Sequence, residues 1–574
     1  MSGTASGSAE APADWPLRPW VLGMVGALAG LLVFFLLDGD GDDVPWRVAG
    51  AAFCTFGSLS LALTLDRENW VEASVFSLGI GAVLGGLAWH ALWVGDRLAG
   101  EEFAFAAGIF ASLLAVPLFQ AGFHRRRFAT PYAETHYHVW NDAVSGAGAL
   151  AFTGISWALL WLVHLLLSLV GIEIIKDLID EDWFGLMWSG ASFGAAMGVL
   201  RNQQKIIGSL QAVVMLVLAL LAVPLAAALL VFLVALLLSG GSALWDATDD
   251  ATPILLTCAA GAFVFANAVF RDSDAARSGN AIMVGAAVVL CAGVLPLGMF
   301  AAISMGIRID QYGLAPERLW ALVAIAVAVA YGLAYWVGLA RGRRAGWSDQ
   351  LRAANLNLAV GVCVLALVLA LPIFDFGAVS TRNQLVRLET GAVSVDEFDY
   401  AALRWDFGDA GREALAQLAA GEGKQGELAQ IALDQQVRPY GWARVARRDT
   451  DFDLEIRPED ADLRAAMMAY LRARPYHCEQ RCVVLDLGGE GERKRLALVQ
   501  GSQVQELAQA EDGTISEYYG GASELPSLGP DSSVEVRRVE KRYVFIDGQP
   551  VGAPLDDSGP RQDIGNALNA PPSE

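Results

Sequence analysis

Between Pro19 and Phe374 the chain repeats one pattern about eleven times: a long apolar run, then a short polar loop. Runs of roughly 17–25 residues with few charges match the hydrocarbon core of a bilayer, which a helix crosses with its backbone groups satisfied. The runs fall at 19–37, 46–65, 70–94, 103–122, 143–170, 185–200, 206–238, 253–270, 281–306, 319–340 and 358–374. They predict an all-α polytopic membrane bundle over 19–374. Residues 375–554 lack such runs and read as an α+β domain. Residues 1–18 and 555–574, small and polar, read as disordered tails. The run at 206–238 is longer than a bilayer needs and contains Pro224, so it reads either as one kinked span or as an interfacial segment plus a span.

The loops alternate in charge. Those after even-numbered runs carry Arg67, His124-Arg125-Arg126-Arg127, Arg201 with Lys205, Arg271 with Arg277, and Arg341, Arg343, Arg344 and Arg352. Those after odd-numbered runs carry Asp38, Asp40, Asp42 and Asp43, then Glu101-Glu102, Asp177 with Asp180-Glu181-Asp182, and Asp246 with Asp249-Asp250. The positive-inside rule puts the basic loops and the N-terminus in the cytoplasm. An odd number of crossings then places residues 375–574 outside. Met1–Trp15 has no basic n-region, and the first run ends in aspartates rather than a cleavage site, so that run is expected to remain as the first helix.

Composition agrees with the pattern: 55% of residues are hydrophobic and 18% charged. A net charge of −22 opposes nucleic-acid binding, which needs a basic stripe. Gly26 with Gly30, Gly81 with Gly85, and Gly190, Gly194 and Gly198 recur at four-residue spacing, which lets helix backbones approach closely. Packing within the bundle is the plainer reading, and a homo-oligomer through Gly190, Gly194 and Gly198 is the alternative. Pro117, Pro224 and Pro296 predict kinks. Cys54, Cys258, Cys291 and Cys363 lie singly in apolar runs, as small hydrophobes. Cys478 and Cys482 form a C-x3-C pair after His477, open to a disulfide, to free thiols or to a metal that lacks a fourth ligand.

Ionisable groups inside a bundle are the default functional hypothesis, and here they are sparse. Glu72 and His90 lie near run ends. His164, among leucines, reads either as a satisfied histidine or as a proton relay, and Asn267 supplies an interhelical hydrogen bond. No buried carboxylate ladder is evident. Two loop-edge segments are richer in polar detail. Gly171–Phe184, with Lys176 and Asp177, reads as an amphipathic surface helix. In the second, Arg308, Gln311, Tyr312, Gly313, Pro316, Glu317 and Arg318 fit two readings: an extracytoplasmic anion or headgroup site, or a turn with a helix cap and salt bridge.

The Gln311-Tyr-Gly-x-x-Pro316-Glu-Arg turn resembles a bacterial membrane-protein family known as domain of unknown function four-one-five-three. So do Gly171-Ile-x-x-x-Lys176-Asp-Leu, Ser380-Thr-x-Asn-Gln384-Leu-x-Arg387-Leu and Phe398-Asp399-Tyr-x-x-Leu403-Arg404. The likeness runs from about Trp20 to Ala419. It implies the bundle architecture and a bacterial inner membrane, and it brings no activity. Members of that family tend to carry a Cys pair followed by a carboxylate-rich Gly/Asp stretch; here Leu485–Glu492 has fewer carboxylates than a Ca²⁺ loop requires.

In the C-terminal region helices are predicted over 398–418, 426–436 and 461–474, and strands over 482–487, 495–500, 533–539 and 542–547, the last ending in the turn Asp547-Gly548. No Ser-His-Asp, Cys-His or HExxH set is present, so no catalytic residue, cofactor or metal is expected. The sequence points first to a non-enzymatic envelope scaffold, sensor or binding protein, with membrane lipids and an envelope protein as partners. A small-solute or lipid transporter is the alternative. A lipid-active enzyme using Arg308, Glu317 and Asp177 is the third.

Overall fold

A computed structural model describes residues 15–39, 44–239, 251–342, 346–435, 453–473, 481–488, 493–500, 503–510, 514–517, 542–546 and 549–555, with Leu244, Thr248, Arg438 and Cys478. The expected tails at 1–14 and 556–574, the acidic runs at 40–43 and 249–250, Asp246, Arg343, Arg344, His477, the stretch 489–492, the strand at 533–539 and the Asp547-Gly548 turn lie outside them. The chain divides into two compact units: residues 1–387 with 406–412, and residues 388–405 with 413–574.

Among the described residues, the first unit has eleven helices long and apolar enough to cross a membrane. They are α1 (Arg18–Leu37), α2 (Pro45–Thr64), α3 (Trp70–Val94), α4 (Glu101–Gln120), α6 (Tyr132–Ser168), α8 (Asp182–Asn202), α9 (Gln204–Leu238), α10 (Thr252–Phe270), α11 (Ala281–Tyr312), α12 (Pro316–Gly342) and α13 (Trp347–Ala370). Short α5 (Phe123–Arg126) and α7 (Ile174–Ile179) lie in loops, and α14 (Phe376–Glu389) follows the last long helix. The 206–238 run is one continuous helix with Pro224 inside it, about 50 Å long at ~1.5 Å per residue. Two helices start earlier than their apolar runs suggest: α6 at Tyr132 and α13 at Trp347. The added turns are polar, and residues in them are buried, including Thr135, His136, Ser348, Arg352 and Asn355. Tertiary partners satisfy several of these groups, so the helices extend past the hydrophobic signal.

Helices α1 and α8 meet backbone to backbone. A Cβ on Gly26 would run into the carbonyl of Gly190, and one on Gly194 into the carbonyl of Leu22. A Cβ on Gly198 would meet Pro19. The groove formed by Gly190, Gly194 and Gly198 is filled by the chain's own α1, in keeping with the reading of these glycines as packing within the bundle. Gly81 and Gly85 of α3 receive Phe53 and Ala49 of α2 in the same way. Helices α9 to α13 pack around an alanine-rich core that includes Ala222, Ala262, Ala266, Ala287, Ala301 and Leu290.

In the second unit, α15 (Tyr400–Trp405) and α17 (Lys424–Leu433) precede a five-stranded sheet in the order β1-β2-β3-β4-β5. The expected 398–418 helix is broken between Trp405 and the start of α16 (Gly408–Ala419), where Gly408 has φ +66°. Strand β1 (Asp453–Arg457) runs parallel to β2 (Arg481–Gly488), with α18 (Ala461–Ala473) as the connecting helix. Strands β3 (Arg493–Gln500), β4 (Gln503–Ala510) and β5 (Ile515–Glu517) continue antiparallel. Leu463, Met467 and Leu471 of α18 cover one face, against Leu454, Val484 and Leu496. On the opposite face, Val544 packs against Ala497 and Val499, contributed by the two-stranded β6 (Arg542–Ile546) and β7 (Gln549–Leu555). Strands β1, β4, β5 and β7 were not evident in the sequence. The β4 segment is rich in Gln, Glu and Ala, and pairing with β3 along eight residues outweighs that composition.

Candidate functional site

The turn between α11 and α12 carries the cluster proposed for anions. Gly313 closes α11 with φ +75°, a conformation a side chain resists, and its N–H donates to the Ile309 carbonyl. The polar face of α14 grips the exposed backbone. Gln384 donates to the carbonyls of Tyr312 (2.8 Å) and Leu314 (2.9 Å), and Arg387 to those of Asp310 (2.8 Å) and Gln311 (2.7 Å). The Leu314 N–H donates to Asn383 Oδ1 at 2.8 Å. Arg318 donates to the Gly313 carbonyl and stacks over the Tyr312 ring at 5.6 Å. Two stretches singled out in the sequence, Gln311–Arg318 and Ser380–Arg387, thus hold each other. Several of their polar groups are spent on backbone carbonyls that α11 leaves open at its end. Arg308 is half-buried, whereas the side chains of Gln311 and Glu317 are exposed.

Lys176 and Asp177 sit apart from this turn on α7, which packs on α6 and α8. An open hollow there is lined by Ile174, Asp177, Leu178, Glu181 and Trp183. A cleft of about 20 Å³ lies at Gly100, Glu101, Trp320, Asp375 and Phe376. Both hollows are at helix ends.

Of the intramembrane candidates, His90 Nδ1 faces Glu101 Oε2 at 3.3 Å, and His164 meets the Trp161 ring edge-on at 5.6 Å, with its Nδ1 enclosed and without a hydrogen-bond partner. Asn267 does far more than one hydrogen bond. Its Nδ2 donates to the Phe263 carbonyl (2.7 Å) and to Tyr335 Oη (3.2 Å), and its Oδ1 accepts from Asn355 (2.7 Å) and Tyr132 (3.2 Å). Tyr335 in turn donates to Asn355 Oδ1 at 2.8 Å. This closed network joins α6, α10, α12 and α13. Sequence reading missed Tyr132, Tyr335 and Asn355. The usable signal was a polar amide on each of two spans, Asn267 and Asn355, which need each other in lipid.

The end of the bundle that carries the basic loops holds two buried arginines. Arg18, 3% exposed, donates to Asp66 (2.9 Å), Asn202 (3.1 Å) and the Arg201 carbonyl (3.2 Å). Arg352, 4% exposed, donates to the Phe270 and Arg271 carbonyls and to Asp274 (3.0 Å) and Asp349 (2.6 Å). The Ser348 hydroxyl and the Arg352 guanidinium beside Asp274 hold its carboxyl below the usual range. In the second unit Cys478 and Cys482 are joined in a buried disulfide against the sheet core. Among the described residues no group of three His, Cys, Asp or Glu side chains could hold a metal ion.

Eleven apolar helices, glycine-mediated helix contacts and buried polar clusters define a multi-pass α-helical membrane protein. The family model described as Domain of unknown function (DUF4153) matches residues 20–418, and the chain belongs to that family. No curated protein and no solved structure matches the chain.

Proposed function

We propose that this is a non-enzymatic scaffold or sensor of the bacterial inner membrane that presents its C-terminal α+β unit on the extracytoplasmic side to an envelope partner. One observation carries the reading: Asn267, Tyr335 and Asn355 satisfy one another and Tyr132 in a closed network near the ends of α10, α12, α13 and α6, where it ties four helices together. Charge alternation of the loops and the Cys478–Cys482 disulfide support the outward placement of the C-terminal unit.

The alternative is a small-solute or lipid transporter not driven by a buried carboxylate relay. Reconstitution into vesicles separates the two. The scaffold reading expects solute uptake and lipid scrambling equal to those of protein-free vesicles, together with site-specific crosslinking of the C-terminal unit to an envelope protein in cells. Protein-dependent translocation would end it.

A further inference from the structure

Beneath the basic end of the bundle, α4 and α6 enclose three side-chain oxygens that have no hydrogen-bond partner. Gln120, the last residue of α4, donates through Nε2 to the Leu63 carbonyl (2.7 Å) and to Asp142 Oδ1 (3.2 Å). Both partners are acceptors, so the amide orientation is forced and Oε1 is the atom turned away. That Oε1, Asp142 Oδ2 and Ser145 Oγ are all enclosed, and none has a hydrogen-bond partner. Ser145 is completely buried and lies one turn beyond Asp142 on the same face of α6. The C-terminal ends of α2 and α4 direct their negative dipole ends to this place. Buried acceptors of this kind cost free energy until a donor or a cation satisfies them.

The Asn141 side chain also interacts with the Asp142 carboxylate, and the charged groups around the cluster have partners elsewhere. Arg201 of α8 lies within electrostatic range of Asp142, as does Tyr137, but it forms no ion pair with Asp142 and donates to the Ala62 and Leu65 carbonyls. Arg18 and Asp66 pair with each other. Asp142 lies one residue before the apolar run at 143–170, in a polar stretch that hydropathy reads as loop.

We propose that Asp142, Gln120 and Ser145 form a binding site for a small monovalent cation, either Na⁺ or a proton carried on Asp142 Oδ2. A carboxylate, an amide oxygen and a hydroxyl beside two helix C-termini supply the hard oxygen donors such a cation takes. The site goes beyond the scaffold reading and does not depend on it.

The test uses the full-length protein in lipid nanodiscs, with thermal unfolding followed against NaCl at constant ionic strength, choline chloride making up the balance. A saturable rise in unfolding temperature with Na⁺, abolished in Asp142→Asn, identifies Na⁺ as the occupant. Ser145→Ala keeps the carboxylate and is expected to raise the Na⁺ midpoint on the order of fivefold, the loss of one neutral ligand. If Na⁺ has no effect, infrared titration distinguishes the proton: a carboxylic-acid C=O band that grows as pH is lowered in wild type and is missing in Asp142→Asn. The absence of both a Na⁺-dependent shift and an Asp142-dependent band would overturn the proposal and leave the three oxygens to bound water. Partner crosslinking plays no part in either readout, so failure here is separable from failure of the scaffold reading.

Discussion

Asn267 is the centre of the polar network that joins α6, α10, α12 and α13. Asn267→Leu preserves volume and strands Asn355, Tyr132 and Tyr335 without their shared partner. It is expected to lower stability by about 1–2 kcal/mol, the upper range for polar contacts between membrane helices. Thermal unfolding in detergent measures this, with Cys258→Ala as an exposed control of little effect. Asp274 gives a pH-dependent counterpart. Its folded carboxyl titrates below its unfolded value, so its contribution is present above the ordinary aspartate pKa and is lost as pH falls through the lowered one. Asp274→Asn should therefore destabilise at pH 7, and the gap to wild type should close on acidification, as read by tryptophan fluorescence. The Asn267 contact was legible from the sequence alone, because an amide in an apolar run must find a partner. Asp142 and His136 were not, since they sit in a polar stretch that reads as loop until the buried face of α6 is known.

Among the elements, α1 and α8 make the sharpest prediction. Gly194→Val places a branched side chain against the Leu22 carbonyl, with backbone on both sides and no flexible group to yield. The expected cost is about 3 kcal/mol or more, seen as loss of folded protein by fluorescence-detection size exclusion. Gly146→Ala on α6 meets open space and should be neutral or stabilising by about 0.5–1 kcal/mol. Folding at wild-type yield in Gly194→Val would remove the backbone contact from the account. The spans themselves were readable because bilayer thickness fixes how long an apolar run must be. Their ends were not. At Trp347–Asn355 the helix is held by Arg352 and Ser348 reaching α10 and its following loop, a tertiary effect that hydropathy does not encode. In the C-terminal unit the same holds for β4, whose composition favours a helix and whose neighbour β3 makes it a strand.

For the whole molecule, orientation is the quantity that decides which compartment meets the α+β unit. On the proposed topology the loop charges put the N-terminus in the cytoplasm, and eleven crossings would then carry the chain outward. The disulfide adds an independent line. Its two cysteines are enclosed at 3% and 0% exposure, and a buried pair of this kind persists where thiols are not kept reduced. Two measurements in intact cells should therefore agree. A maleimide reagent applied to protein denatured without reductant should leave Cys478 and Cys482 unlabelled, and should label both after reduction. A phosphatase fused at the C-terminus, which is active only outside the cytoplasm, should be active, while a green fluorescent protein fused there through the same export route should be dark. Free thiols together with a bright C-terminal fluorophore would mean that one crossing has been miscounted. The envelope-facing role would then fall, whereas the helix pairings and the Asn267 network, which rest on packing within the bundle, would stand.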